Sequence, residues 1–190
     1  MHLLLGTRND GKIRELQALL VDLREVELLT YRDQPFSDVR EDGKCFRANA
    51  LKKARQICAE TDLPVLAEDA GLEVEALKGA PGVRSARYAG EKARDKENVA
   101  KLLKALESVN DRNARFVCVA VLRFPDGREL IAEGELKGVI ADEPRGDYGF
   151  GYDPIFIPEG LSQTLAELGP TVKNEISHRR RAIEQLKKEL

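Results

Sequence analysis

The 190-residue chain has no tryptophan, one methionine and two histidines. It has no run near the ~20 apolar residues that cross a bilayer as a helix, so a membrane-spanning protein is not expected. An excess of one charge is missing too: 31 Lys and Arg face 33 Asp and Glu, for a formal net charge of −2. That balance argues against a broad cationic surface of the kind that coats DNA or binds anionic membranes. Cysteine is scarce and odd in number. Cys45, Cys58 and Cys118 lack metal-ligand spacing, which excludes a disulfide framework and a zinc site as sequence-supported readings. Cys118 lies in an apolar run and reads as a small core residue. The apolar start Met1–Gly6 is too short for a signal peptide and is followed at once by Arg8 and Asp10, so the chain is expected to be cytoplasmic.

What is present fits one soluble α/β domain. At roughly 150 residues per domain, the length predicts a single domain over residues 1–190, with room for two lobes. The chain is 42% hydrophobic, enough to bury a sizeable core at this length. Leu3–Leu5 reads as a short buried strand, followed by a polar loop, Gly6–Gly11. A helix opening at Lys12 carries Ile13, Leu16 and Leu20 on one stripe. A second strand fits Val26–Leu29, and Phe46, Ala50, Ala54, Ile57 and Cys58 mark the next helix. Pro64–Ala67 reads as a buried strand that delivers Glu68 and Asp69 at its C-terminal end. Val99, Leu102, Leu103, Leu106 and Val109 mark a third helix. Residues 115–124 and 129–140 form a hairpin around Pro125-Asp126-Gly127. A last helix is expected from Asn174 or Glu175, burying Ile176, Ile183 and Leu186. Strands alternate with helices early and pair as a hairpin late, which predicts a mixed sheet.

Three segments carry chemistry. Gly6-Thr7-Arg8-Asn9-Asp10-Gly11-Lys12 fills the first seven positions of the phosphate-loop pattern, but Ile13 stands where that pattern needs a hydroxyl for Mg²⁺. The loop fits an anion site at a helix N-terminus, with Lys12 adding a full charge. It equally fits a tight strand-to-helix turn with Lys12 solvated. The adjacent carboxylates Glu68-Asp69, at the end of a buried strand, suit a hard cation such as Mg²⁺. In Ser177-His178-Arg179, a continuous helix would turn His178 about 200° from Ile176 and away from the apolar stripe. Lys173 and Arg179 near a helix start, where the dipole disfavours cations, point to an external anion or an acceptor-rich ligand.

Together these segments resemble the inosine triphosphate pyrophosphatase (Ham1-like) family, over nearly the whole chain and in order. The resemblance runs through Thr7-x-Asn9-x-x-Lys12, Phe46-x-x-Asn49-Ala50, Glu68-Asp69-Ala70-Gly71-Leu72, and Gly79-Ala80-Pro81-Gly82-Val83-x-Ser85-Ala86-Arg87-Tyr88. It continues in Phe150-Gly151-Tyr152-Asp153-Pro154 and Ser177-His178-Arg179. Ala70 and Ala48 depart from it, standing where the family commonly has Ser and Glu.

The resemblance implies a long twisted mixed β-sheet with helices on both sides, in two lobes flanking a central cleft. It also implies a homodimer with no nucleic-acid or membrane partner. The implied activity is Mg²⁺-dependent cleavage of ITP, dITP or XTP to the monophosphate and pyrophosphate, a house-cleaning step that clears deaminated purines. Substrate contacts are then expected from Thr7, Arg8, Asn9, Asp10, Gly11, Lys12, Ala70, Phe150, Gly151, Tyr152, Asp153, Lys173, His178 and Arg179. Asp69 would orient or deprotonate the attacking water, and Glu41, Glu68 and Asp69 would hold the metal. Phe150 can stack on a purine, Asp153 can accept from a ring N–H, and His178 and Arg179 can donate to a 6-keto oxygen. Adenine offers an amino donor there and would leave those donors unpaired. Two other readings are kept: a variant phosphate-loop NTPase or phosphotransferase, and a non-catalytic nucleotide- or RNA-binding module using Arg179–Arg181.

Overall fold

Leu3, Leu4 and Leu5 are fully buried because β1 (His2–Leu5) lies between two parallel neighbours, β2 (Glu27–Leu29) and β3 (Val65–Val74). A parallel strand covered on both faces reads as an unbroken apolar run. The computed structural model describes residues 1–189. It contains a mixed six-stranded sheet in the order β2-β1-β3-β4-β5-β6, completed by β4 (Asn113–Arg123), β5 (Glu129–Ile140) and β6 (Phe156–Pro158). β5 and β6 pair antiparallel. The turn between β4 and β5 is closed where Phe124 N–H donates to Arg128 O at 3.0 Å. The mixed α/β sheet and this turn are as the sequence predicts. No helix among the described residues is long and apolar enough to cross a membrane.

The chain divides into two compact units. The first comprises residues 1–69, 118–134 and those from Arg179 onward. In it, α1 (Asp10–Leu19) buries Ile13, Leu16 and Leu19, and its N-terminus is capped by the Asn9 side chain, which accepts from Lys12 N–H at 3.0 Å. α2 (Phe46–Thr61) buries Phe46, Ala50, Ala54, Ile57 and Cys58, with Asn49 and Lys53 buried on the same stripe. The unit closes with α5 (His178–Leu186), whose first residue belongs to the second unit.

The second unit comprises residues 70–117 and 135–178. Its core packs Leu72 and Val74 with Phe116, Leu136, Ile140, Tyr152, Ile155, Phe156 and Leu165. α3 (Asp95–Ala105) adds Val99 and Leu102 to that core. α4 (Leu165–Ile176) starts at a capping box in which Thr164 and Glu167 satisfy each other's backbone N–H groups.

The structure corrects four sequence expectations. The first helix starts at Asp10, so Asp10 and Gly11 are helical. α3 ends at Ala105 and Val109 lies beyond it, yet Val109 still packs on the same core. β3 does not end at Glu68-Asp69 but runs on to Val74, because Leu72 and Val74 are buried and prolong the strand. The single C-terminal helix is two helices, broken at Ser177 in extended conformation (φ −66°, ψ 156°). The 200° offset of His178 from Ile176 has no meaning across that break. His178 is buried, with its ring stacked on Phe116 at 4.8 Å and 11°.

Candidate active site

Successive residues of a strand face opposite sides, so Glu68 and Asp69 enter different surroundings. A Cβ built on Gly6 would touch Val65, Ala67 and Ile57 of α2, which places the odd-numbered side of β3 toward α2. Asp69 follows the same alternation: its Oδ2 accepts from Asn49 Nδ2 of α2 at 2.8 Å. Asn49 Oδ1 in turn accepts from Gly43 N–H at 2.7 Å, so the amide is fixed at both ends. One helical turn on, Lys53 Nζ donates to Glu41 Oε1 at 2.7 Å. Burial raises the Asp69 pKa above the ordinary carboxylate value, and Glu41 adds to the rise, against the pull of Lys53 and Lys12. A carboxyl held this way is a stronger base than an ordinary carboxylate and is suited to take a proton from water.

Glu68 lies on the other side, wholly buried. Its two oxygens accept from Arg179 Nε and Nη2, each at 2.7 Å. Arg179 Nη1 also reaches Glu15 of α1. Cys118 Sγ donates to Glu68 Oε2 at 3.2 Å, and Lys12 Nζ lies 3.2 Å from Glu68 Oε1. Burial alone would raise the Glu68 pKa, but Arg179 and Lys12 hold it well below the usual range. Burial likewise pushes the Cys118 thiol well up, so it stays protonated and able to donate. For Lys12, burial favours the neutral form, yet Glu68, Asp69 and Glu41 outweigh it and keep the ammonium charged.

The second unit carries its own buried ion pair. Lys173 Nζ of α4 donates to Asp153 Oδ2, which also accepts from Phe150 N–H at 2.9 Å. The Lys173 ammonium stands 4.5 Å from the centroid of the Phe150 ring. Tyr152 is buried and its hydroxyl donates to Ser85 O at 2.8 Å.

The predicted residues divide into those the fold engages internally and those it leaves near solvent. Asn9 caps α1, and Thr7 Oγ1 accepts from Asn9 N–H at 3.2 Å. Arg8 pairs with Asp38 at 2.9 Å and Asp10 with Arg32 at 2.7 Å, all exposed, while Gly11 is buried in α1. Gly151 donates its N–H to Asp95 Oδ2 at 2.7 Å. Ala70 directly follows Asp69 in β3 and is partly buried. Arg179, expected to face an external anion, is instead almost wholly buried as the counter-ion of Glu68 and Glu15. A guanidinium beside two carboxylates has its charge satisfied inside the protein.

The sequence reading missed Glu15, Lys53 and Cys118, and used Asn49 only as a motif letter. The signal was there. Glu15 sits between Ile13 and Leu16, and Lys53 beside Ala54, each interrupting an apolar helical stripe with a charge. A charge in such a position is buried with a partner.

Glu41, Glu68 and Asp69 do not form a three-ligand cluster; none is present among the described residues. The donor chemistry nevertheless fits a hard divalent cation at part of the set. Asp69 is buried, raised in pKa and burdened by the nearby Glu41 charge, which a cation would relieve. Glu68 has its oxygens committed to Arg179, Lys12 and Cys118 and does not fit that role.

The fold and these clusters define an α/β protein with a buried carboxylate flanked by lysines and a separate aromatic–carboxylate–lysine group. The Ham1 family model matches residues 3–189, and the chain belongs to that family. It is 51% identical to the dITP/XTP pyrophosphatase of Geobacter sulfurreducens, covering 99% of this chain and 96% of the relative. With the dITP/XTP pyrophosphatase of Bdellovibrio bacteriovorus it shares 49% identity, covering 96% and 94%. The solved structure of a HAM1 protein from Coxiella burnetii superposes with a TM-score of 0.89 at 44% identity, covering 100% of this chain and 98% of that one.

Proposed function

We propose that this protein hydrolyses non-canonical purine nucleoside triphosphates (ITP, dITP and XTP) to the monophosphate and pyrophosphate, clearing deaminated purines from the nucleotide pool. One observation carries the reading: Asp69, buried, raised in pKa and fixed by Asn49, has the charges of Lys12 and Lys53 acting on it. A general base with cations at hand is what phosphoryl transfer asks of a protein, since that chemistry rests on positioning and charge neutralisation. Its relatives named as dITP/XTP pyrophosphatases support the substrate class.

In the proposed step Asp69 takes the proton of a water whose oxygen bonds to the α-phosphorus. The bond from that phosphorus to the α–β bridging oxygen breaks, and pyrophosphate leaves with the electron pair. Lys12 and Lys53 offset the phosphate charge, and Thr7, at the mouth of the first loop, offers a hydroxyl. Asp69 and Glu41 would hold a Mg²⁺ ion, which when bound withdraws charge from phosphate oxygens. Phe150 would stack on the purine, with Asp153, paired with Lys173, as acceptor for a ring N–H and His178 donating to the 6-keto oxygen. We place the enzyme in the cytoplasm as a single two-lobed domain acting as a homodimer, which light scattering on the purified protein tests.

The phosphate-loop alternative is not favoured, because Ile13 packs into the α1 core face instead of offering a hydroxyl. The RNA-binding alternative loses Arg179, which is committed to Glu68 and Glu15. Incubation with XTP, ITP, dITP, GTP and ATP, with pyrophosphate and orthophosphate quantified separately, tests the proposal. Pyrophosphate from the first three is expected; orthophosphate as first product, or equal turnover of ATP and GTP, defeats it.

A further inference from the structure

The segment that carries Phe150 and Asp153 depends on glycine for its backbone path. Gly146, Gly149 and Gly151 all adopt positive φ, a region that costs glycine nothing and other residues strain. Its far end is nonetheless well anchored, because the buried Tyr152 hydroxyl reaches Ser85 O and buried Asp153 pairs with Lys173. The near end is held by two carboxylates acting on consecutive peptide N–H groups. Asp153 Oδ2 accepts from Phe150 N–H at 2.9 Å, and Asp95 Oδ2 accepts from Gly151 N–H at 2.7 Å. Asp95 comes from another element, the first turn of α3, so its bond ties this segment to a rigid helix 56 residues away in sequence. The two N–H groups belong to the peptide planes on either side of the Phe150 Cα, so the two carboxylates fix both planes, and with them the direction in which the Phe150 side chain leaves the backbone.

We infer that Asp95 is a specificity-determining positioning residue: it fixes the peptide plane that follows Phe150, and thereby the direction of the Phe150 side chain and the registry of the base against Asp153. This rests on the proposed role of Phe150 and Asp153 in base recognition. Stacking tolerates any base, because every base has a π-face. Hydrogen bonds to the base edge are directional and weaken steeply when misaligned. A loosened Phe150 therefore still binds purines but no longer presents them to Asp153 at one height and angle. Discrimination falls further than overall affinity.

The test compares wild type, Asp95→Ala and Asp95→Asn. Asn keeps a carbonyl acceptor at the same reach; Ala removes it. The readouts are the ratio of kcat/KM for XTP over ATP, the same ratio of binding constants by calorimetry, and amide exchange at Gly151 by NMR. Asp95→Ala is expected to lose about fivefold of the XTP preference, the scale of one hydrogen bond, with faster exchange at Gly151. Asp95→Asn is expected to restore most of the ratio and the protection. A wild-type ratio in Asp95→Ala overturns the inference, as does equal loss in both variants with Gly151 still protected. Failure of the wild type to release pyrophosphate from XTP defeats the proposed activity instead, and the binding ratio still decides the role of Asp95.

Discussion

Arg179 and Glu68 meet in a two-bond, side-on pair, Nε to Oε2 and Nη2 to Oε1, each at 2.7 Å. Both side chains are buried. Truncating one partner of such a pair leaves an uncompensated charge in the interior, at a cost of about 3–5 kcal/mol. Arg179→Ala is therefore expected to lower the thermal midpoint sharply. Arg179→Lys, which keeps the charge but not the planar fork, is expected to recover part of it. Calorimetric unfolding of the three proteins checks this; near-equal midpoints for wild type and Arg179→Ala would refute it.

The same pair sets a pH dependence. The Glu68 pKa is lowered in the folded state, so its stabilising contribution is complete above the unfolded carboxylate value of about 4.3. It is lost as pH falls through the lower folded value. Urea midpoints are expected to fall on acidification below about pH 4.5, more steeply in wild type than in Glu68→Gln, whose curve is already low at neutral pH. Parallel curves for the two proteins would show that Glu68 does not drive the acid loss.

Asp69 has the opposite linkage. Its folded pKa is raised, so its contribution to stability declines as pH rises from the unfolded to the folded value and stays unfavourable above it. Asp69→Asn removes that burden while keeping an acceptor for Asn49. The expected outcome at pH 7.5 is a higher thermal midpoint together with loss of pyrophosphate release, a trade of stability for function. Retained turnover would remove Asp69 as base.

Cys45 is exposed, whereas Cys58 and Cys118 are buried, and all three are free. The Cys118 thiol is further held protonated by burial and by Glu68, and the thiolate is the reactive form. A chromogenic disulfide reagent is expected to titrate Cys45 in the native protein and the other two on unfolding. Rapid native modification of Cys118 would contradict the buried donor role.

Gly149 has φ +83°, and a Cβ there would lie 2.1 Å from Asp153 Oδ2. Gly149→Ala must displace that carboxylate from Lys173 or from the Phe150 N–H. The expected effect is a loss of XTP preference over ATP with the triphosphate affinity little changed. A uniform loss across all nucleotides would instead mark a folding defect.

Period and composition read well where a segment's environment is uniform. Leu3–Leu5 and the turn at Pro125-Asp126-Gly127 were legible for that reason, as were the α1 and α2 stripes and the mixed sheet. The first loop and Glu68-Asp69 stood out as polar groups next to buried strands. What escaped was pairing across distance. Arg179 reads as one more cation in a basic tract, because its partner Glu68 lies 111 residues away. Lys53 and Glu15 look like flaws in apolar stripes until their partners Glu41 and Arg179 are seen. The break at Ser177 also escaped, because neither glycine nor proline marks it, and the face assigned to His178 failed with it.

The first unit is assembled from three stretches of chain, the last beginning at Arg179. During synthesis, Glu68 leaves the ribosome with Lys12 already made but long before its two-bond partner Arg179 exists. Until residue 179 emerges, burying that carboxylate leaves both Arg179 hydrogen bonds unmade, with the charge offset by Lys12 but not by the guanidinium, so closure of this unit is disfavoured up to α5. The ordering works as a timer: the nascent chain can settle its second unit, complete by residue 178, before the first one locks.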